Sequence, residues 1–163
     1  MVKVSVILHH YKAKAFKEAH VKAELEGLKA QTYGNIETLI IGDDKGSAVK
    51  AFGDLDFTWV ECQENLAKNM NKALSLAKGE WVLIIDNREN PVMMKKAAID
   101  GFMLGAERHE DAGLFYTSYE LEDGEEVKEI HLLDHHSGPG ARQHGLRKGL
   151  FRPQGHPGCG REF

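Results

Sequence analysis

The chain has 163 residues, 42% of them hydrophobic and 28% charged, with a formal net charge of −4. That length allows one domain with a buried core. The net charge excludes broad electrostatic attraction to nucleic acid or an anionic membrane, and no apolar run approaches the roughly 20 residues that span a bilayer. Met1 leads directly into the alternating Val2–Leu8 stretch, so no signal peptide is expected and a cytoplasmic location is the default expectation. Cys62 and Cys159 are too few for a disulfide framework.

Strand and helix patterns alternate from the amino terminus. Val2–Leu8 is rich in β-branched residues and predicts a strand. A helix is expected from Ala13 to Ala30, with Val21, Leu25 and Leu28 at i, i+4 and i+7 on one face. Gln31–Asn35 makes a turn before a second strand, Ile36–Ile41. A short helix is expected over Ser47–Phe52 and a third strand over Thr58–Glu61. Asn65 is a good N-cap for a helix carrying Leu66, Met70, Ala73, Leu74 and Ala77, which Gly79 is expected to stop. Trp81–Ile85 is apolar throughout, as in a strand covered on both faces; Trp59 and Trp81 read as sheet core.

Asn90-Pro91 predicts an N-cap followed by proline at the first helical position. The helix it opens would bury Met94, Ala97, Ala98, Gly101 and Gly105. A further strand, Ala112–Leu121, leads through the Asp123-Gly124 turn into Glu126–Leu133, a hairpin. Strands alternating with helices in this way predict βαβ units, hence an α/β fold with a mostly parallel sheet and an antiparallel hairpin after the last helix. No internal repeat interrupts the pattern.

The last thirty residues differ. Asp134–Phe163 holds seven of the 17 glycines, three of the four prolines and four of the nine histidines, with five Lys/Arg against two Asp/Glu. Residues 1–133 therefore read as the folded unit, and 134–163 as a Gly/Pro/His/Arg-rich tail or loop of the same domain. His135, His136, His144, His156 and Cys159 match no recognised zinc spacing.

Three acids stand at the ends of apolar strands: Asp43 and Asp44 after the second, Asp86 after Trp81–Ile85. Open α/β sheets place ligand chemistry at such strand ends. Taken with Val4-Ser-Val-Ile-Leu-His-His-Tyr11, Gln31-Thr-Tyr-Gly-Asn-Ile-Glu37, Ile40-Ile-Gly-Asp-Asp44 and the run from Asn65 to Asp86, the chain resembles the N-terminal, nucleotide-sugar-binding part of family 2 glycosyltransferases with the GT-A fold. The likeness covers roughly residues 2 to 121, and its specificity lies in four short motifs in the family's order and spacing.

The resemblance implies a GT-A-like three-layer α/β/α sandwich, with a nucleotide-diphosphate sugar over the carboxyl ends of the first, second and fourth strands. Tyr11 would pack against the nucleoside, and Asp43 or Asp44 would accept hydrogen bonds from base or ribose. Lys68 would stand near the phosphates, and Asp86 would hold ribose or metal. His9 and Lys12 depart from the family's Pro-x-Tyr-Asn-like turn. The larger departure is at the family's Asp-x-Asp motif, which here reads Asp86-Asn-Arg88. The motif's acids hold Mn2+ or Mg2+ against the diphosphate. With Arg88 in the second place, either the guanidinium itself stabilises the diphosphate, giving metal-independent activity, or the site is degenerate. Glu89 is a second ligand only if its loop is reshaped.

The implied activity is sugar transfer to an acceptor hydroxyl with inversion, the acceptor being a glycan, a lipid-linked group or a protein. The protein would be cytoplasmic or peripheral to a membrane, with self-association left open and no nucleic-acid partner. The alternative is a catalytically degenerate nucleotide-sugar-binding or partner module of the same fold. The catalytic base is unassigned: Asp134 and Glu162 are the tail's acids, and neither lies in a family motif. A nucleotidyltransferase is disfavoured because His9-His10-Tyr11-Lys12 lacks that class's Gly-rich basic loop. The missing Gly-x-Gly-x-x-Gly likewise disfavours a dinucleotide enzyme.

Overall fold

The computed structural model describes residues 1–10, 18–62, 65–87, 91–124, 126–131 and 148–151, with backbone alone for 18–19 and 148–151. Four strands pair in parallel: β1 (Val4–His9), β2 (Ile36–Gly42), β3 (Phe57–Glu61) and β4 (Trp81–Asp86). β5 (Leu114–Phe115) and β8 (Lys148–Phe151) complete a sheet of order β3-β2-β1-β4-β8-β5, in which β8 runs antiparallel to both its neighbours. β6 (Tyr119–Asp123) and β7 (Glu126–Ile130) form a separate hairpin. The helices are α1 (Glu18–Lys29), α2 (Lys45–Phe52), α3 (Leu66–Leu76) and α4 (Ala98–Arg108).

Side chains alternate across a strand, and here both faces of the sheet are covered. Val4, Val6 and Leu8 of β1, Ile40 of β2 and Leu83 and Ile85 of β4 pack on one face. They meet Val21 and Leu28 of α1, Phe52 of α2 and Ile99, Met103 and Ala106 of α4. Ile7, Leu39, Ile41, Val60 and Val82 pack on the other, against Ala73, Met70 and Leu74 of α3. This is the expected three-layer α/β/α sandwich. From β1 the chain steps outward through β2 to β3 with α1 and α2 on one face. It then returns through α3 on the opposite face to set β4 on β1's other edge. That reversal, between the carboxyl ends of β1 and β4, is a topological switch point.

Two helices differ from expectation in instructive ways. In α3, Asn65 accepts a hydrogen bond from the Lys68 amide at 3.2 Å, as expected of the cap. The helix ends at Leu76, however, with Ala77 extended at its C-cap, so Gly79 does not stop it. Gly79 instead donates its N–H to Ser5 Oγ at 2.8 Å, and that hydroxyl donates to Glu37, which also accepts from the Lys78 amide. A Cβ on Gly79 would lie 2.5 Å from Ser5 N and 2.8 Å from the Trp81 carbonyl. Close approach between neighbouring segments, not a left-handed turn, requires glycine there.

The fourth helix begins at Ala98, not at Pro91. Its buried residues are Ile99, Met103 and Ala106, while Gly101 is exposed. The cause is a side chain from another segment: Gln31 Oε1 accepts from the Ile99 amide at 3.2 Å, and Gln31 Nε2 donates to the Lys95 carbonyl at 2.9 Å. The first-turn donor is thus met from the α1–β2 turn, and the register of the buried face moves with it. Gly105 packs beside the Phe115 ring, where a Cβ would stand in ordinary contact at 3.4 Å.

The predicted strand Ala112–Leu121 is two strands, β5 and β6, and α2 begins two residues earlier than predicted. The predicted hairpin is present, with Gly124 at φ +63°. Sequence pattern assigned no element to Lys148–Phe151, yet this segment forms β8, paired from Val82↔Phe151 to Ile85↔Lys148.

Gly79→Ala should lower the unfolding free energy by about 1–3 kcal/mol, the usual cost of overpacking. Gly101→Ala, in open space on a helix, should raise it by about 0.5–1 kcal/mol. Urea denaturation of the two variants measures both.

Candidate functional site

The strand ends at the switch point are tied together by backbone bonds. His9 is in register with Ile41 on one side and Asp86 on the other. His10 N donates to the Ile41 carbonyl at 2.8 Å, and Asn87 N donates to the His9 carbonyl at 3.1 Å. Alternation then sorts the rim. His9 follows Ile7, and Asp86 follows Val82 and Ile84, so both belong to the α3 side. His10 follows Leu8, and Asn87 follows Leu83 and Ile85, so both belong to the side of α1.

On the α3 side, Asp86 is half-buried and Asp43, just past Gly42, is exposed. β1 lies between their strands, so the strands are two spacings, about 10 Å, apart, and Asp43 lies two residues beyond Ile41, the β2 residue level with Asp86. Lys68 is exposed in the first turn of α3, whose amino end lies at this rim because α3 follows the carboxyl end of β3. Cys62, just beyond β3, has its thiol pushed up to about 11, by burial first and then by the Asp43 carboxylate. It is therefore a poor nucleophile at neutral pH.

Asp44 has a structural task. It is the N-cap of α2: Oδ1 accepts from Ser47 N at 3.1 Å and Oδ2 from Ser47 Oγ at 2.6 Å. The Ser47 hydroxyl, then its amide, holds the carboxyl below its ordinary value. Of the two neighbouring acids, Asp43 is thus the one whose carboxylate is not given to a cap.

The α1 side carries a polar cluster that sequence reasoning missed. Glu24 is 5% exposed, with His10 and Asn87 at 7% and 5%. Asn87 Nδ2 donates to Glu24 Oε1, and His10 Nε2 lies 3.1 Å from Glu24 Oε2. Asn87 Oδ1 accepts from Val92 N at 2.8 Å. His10 also meets the Phe52 ring edge-on at 5.8 Å. A small cavity beside the cluster is lined by His10, His20, Val21, Glu24, Asn87 and Val92. A signal was present: Glu24 falls at i+3 from Val21 and i−4 from Leu28, a charge inside an apolar helix stripe.

Tyr11, Arg88, Glu89, Asp134, Glu162, the tail histidines and Cys159 lie outside the described residues. Among the described residues, no group of three or more His, Cys, Asp or Glu side chains is arranged to hold a metal ion, and no helix is long and apolar enough to cross a membrane.

The sheet order and its two helix layers define an open, mostly parallel α/β domain with acids at one rim. The profile of glycosyl transferase family 2 matches residues 5–87. The chain belongs to that family. No curated protein matches it, whereas many solved structures share its fold. S. aureus TarS is 21% identical, with a TM-score of 0.51 over 72% of this chain and 20% of that one. Mannosyltransferase PcManGT from Pyrobaculum calidifontis, solved in complex with GDP-Man and Mn2+, is 24% identical, with a TM-score of 0.54 over 71% of this chain and 35% of that one. A 4-diphosphocytidyl-2C-methyl-D-erythritol synthase from Anaerococcus prevotii has a TM-score of 0.56 at 13% identity, over 93% of this chain and 70% of that one. The shared feature is the GT-A-like fold, and the chain spans a minor part of TarS and of PcManGT.

Because the folded pKa of Asp44 is depressed, its cap adds stability above the unfolded carboxyl's pKa, and that stability is lost as pH falls through the folded value. Asp44→Ala should therefore lower the melting temperature at pH 7, and the gap to wild type should close on acidification. Asp44→Asn, which also caps, should retain most of the stability. Thermal melts between pH 7 and about 2 read this out.

Proposed function

We propose that this domain binds a nucleotide-diphosphate sugar in a glycosyltransferase that moves the sugar to an acceptor hydroxyl with inversion. The observation that carries the reading is the placement of Asp43 and Asp86 on either side of β1, at the switch point and towards the α3 side. A span of about 10 Å between strands suits a nucleoside laid across the strand ends. Asp43 would accept hydrogen bonds from base or ribose, Tyr11 would pack on the nucleoside, and Asp86 would hold ribose or a cation. Lys68 and Arg88 would meet the phosphates.

Breaking the sugar–phosphate bond builds negative charge on the leaving diphosphate. Asp86 offers the hard oxygen that Mn2+ or Mg2+ takes, and such a cation, when bound, neutralises that charge. Arg88 would supply positive charge directly, with bidentate geometry suited to phosphate oxygens. The reading takes residues 1–133 as the donor-binding unit and leaves Asp134 and Glu162 of the 134–163 segment as candidates for the base. The acceptor would be a glycan, a lipid-linked group or a protein, met in the cytoplasm or at a membrane surface.

The presence of Arg88 at the second Asp-x-Asp position favours one further reading, a degenerate donor-binding module. Calorimetry with UDP- and GDP-sugars, in manganese and in EDTA, tests both. Wild type should bind one of them, and Asp43→Asn and Asp86→Asn should each weaken it by roughly tenfold or more. Turnover in EDTA by wild type supports the arginine-assisted enzyme. Manganese-dependent turnover confined to Arg88→Asp supports the degenerate module. No binding of any nucleotide sugar at millimolar concentration sinks the proposal.

A further inference from the structure

Beneath the rim, on the side of the sheet away from Asp86, Glu24 holds a carboxylate at a place where the α1 stripe of Val21, Leu25 and Leu28 would accept an aliphatic side chain. Burying a charge is costly unless every oxygen finds a donor. Here Asn87 Nδ2 donates to Oε1, and His10 Nε2 stands 3.1 Å from Oε2 in an ion-pair contact. An apolar residue would serve packing as well or better, since buried ion pairs seldom add net stability over a well-packed apolar group. What the carboxylate supplies is direction. It links α1 to the end of β4 through a hydrogen bond, which fixes angle as well as distance, and meets His10 beyond β1.

We infer that Glu24 is a positioning residue for the donor site, acting on Asp86 through Asn87. The inference rests on the functional reading above. Asn87 is held by three segments: its amide nitrogen donates to Glu24 on α1, its amide oxygen accepts from Val92 N at 2.8 Å, and its backbone N–H donates to the His9 carbonyl at 3.1 Å. Asp86 is the residue before it, the last of β4 and in register with His9. Fixing Asn87 on the α1 side therefore fixes where Asp86 leaves the sheet on the α3 side. Ligand-contacting groups tolerate little displacement, because an error of about 1 Å can cost up to a hundredfold. Glu24 itself touches no ligand in this scheme. It and Asp86 act from opposite faces of the same strand end.

The test combines amide exchange at Val92, followed by NMR, with calorimetric binding of GDP-mannose and UDP-glucose. Glu24→Ala should speed Val92 exchange and weaken donor binding, each by roughly tenfold or more. Glu24→Gln keeps an acceptor for Asn87 and should stay within about threefold of wild type in both. Since Glu24 acts through Asn87, the Glu24→Ala/Asn87→Ala double variant should bind no more weakly than Asn87→Ala alone. A lowered melting temperature with unchanged donor affinity would make Glu24 a structural residue only and overturn the inference, as would additive losses in the double variant. Should Glu24→Ala not fold, Asn87→Ala carries the test, and full donor affinity in that variant overturns it. If wild type binds neither of these nor any other nucleotide sugar, the functional reading fails, and Val92 exchange alone then decides whether Glu24 holds this strand end.

Discussion

β1 is hydrogen-bonded on both edges and buried on both faces, and this confinement governs the rest of the molecule. A strand with β2 and β4 as parallel partners has no freedom of register: a slip by one residue would turn Val4, Val6 and Leu8 away from α1 and drive Ser5 and His9 into their place. With register pinned, the strand's carboxyl end emerges between two other carboxyl ends, and His9 must fall level with Asp86. The site is therefore a consequence of the same pairing that builds the core. At the other end of the sheet, the Ser5 hydroxyl between Glu37 and the Gly79 amide closes the gap where the chain enters β4. Both ends of the central strands are thus tied by specific bonds.

Strand alternation also divides labour at the rim. On the α1 side, positions that continue the apolar rows of β1 and β4 are occupied by His10 and Asn87, and α1 answers with Glu24. These groups meet under cover, Asn87 donating to Glu24 and His10 standing beside it. On the α3 side, His9 is fully buried and Asp86 half-buried, with Asp43 exposed across the strand. Neighbours in sequence serve opposite purposes because neighbours in a strand face opposite ways. On the proposed reading, the residue that would hold a ligand group and the residue that steadies it are consecutive, Asp86 and Asn87.

Much of this was legible in the chain. The period-two runs, the Asn65 cap and the Asp123-Gly124 turn carry their own local physics, and each appears where expected. The acids at strand ends were legible because an apolar run that stops at an acid marks where a buried strand reaches the surface. The errors share one cause. Gly79 was assigned a turn role from its neighbours in sequence, but Ser5, far away in the chain, decides its identity. The face of α4 was assigned by periodicity from Pro91, but Gln31 caps the helix later and moves its phase. Asp44, which matches a motif for ligand contact, also caps α2 through Ser47, a task the motif does not announce.

The sequence by itself determined the class of fold, the order of strands and helices from β1 to α4 and which acids stand at strand ends, because these follow from local periodicity, caps and turns. Tertiary structure alone decided that Glu24, His10 and Asn87 meet, that Lys148–Phe151 pairs with β4, and that Asp43 and Asp86 flank one strand. Those facts depend on which segments become neighbours. Periodicity states that a residue is turned inward, but only the packed chain supplies what it meets there.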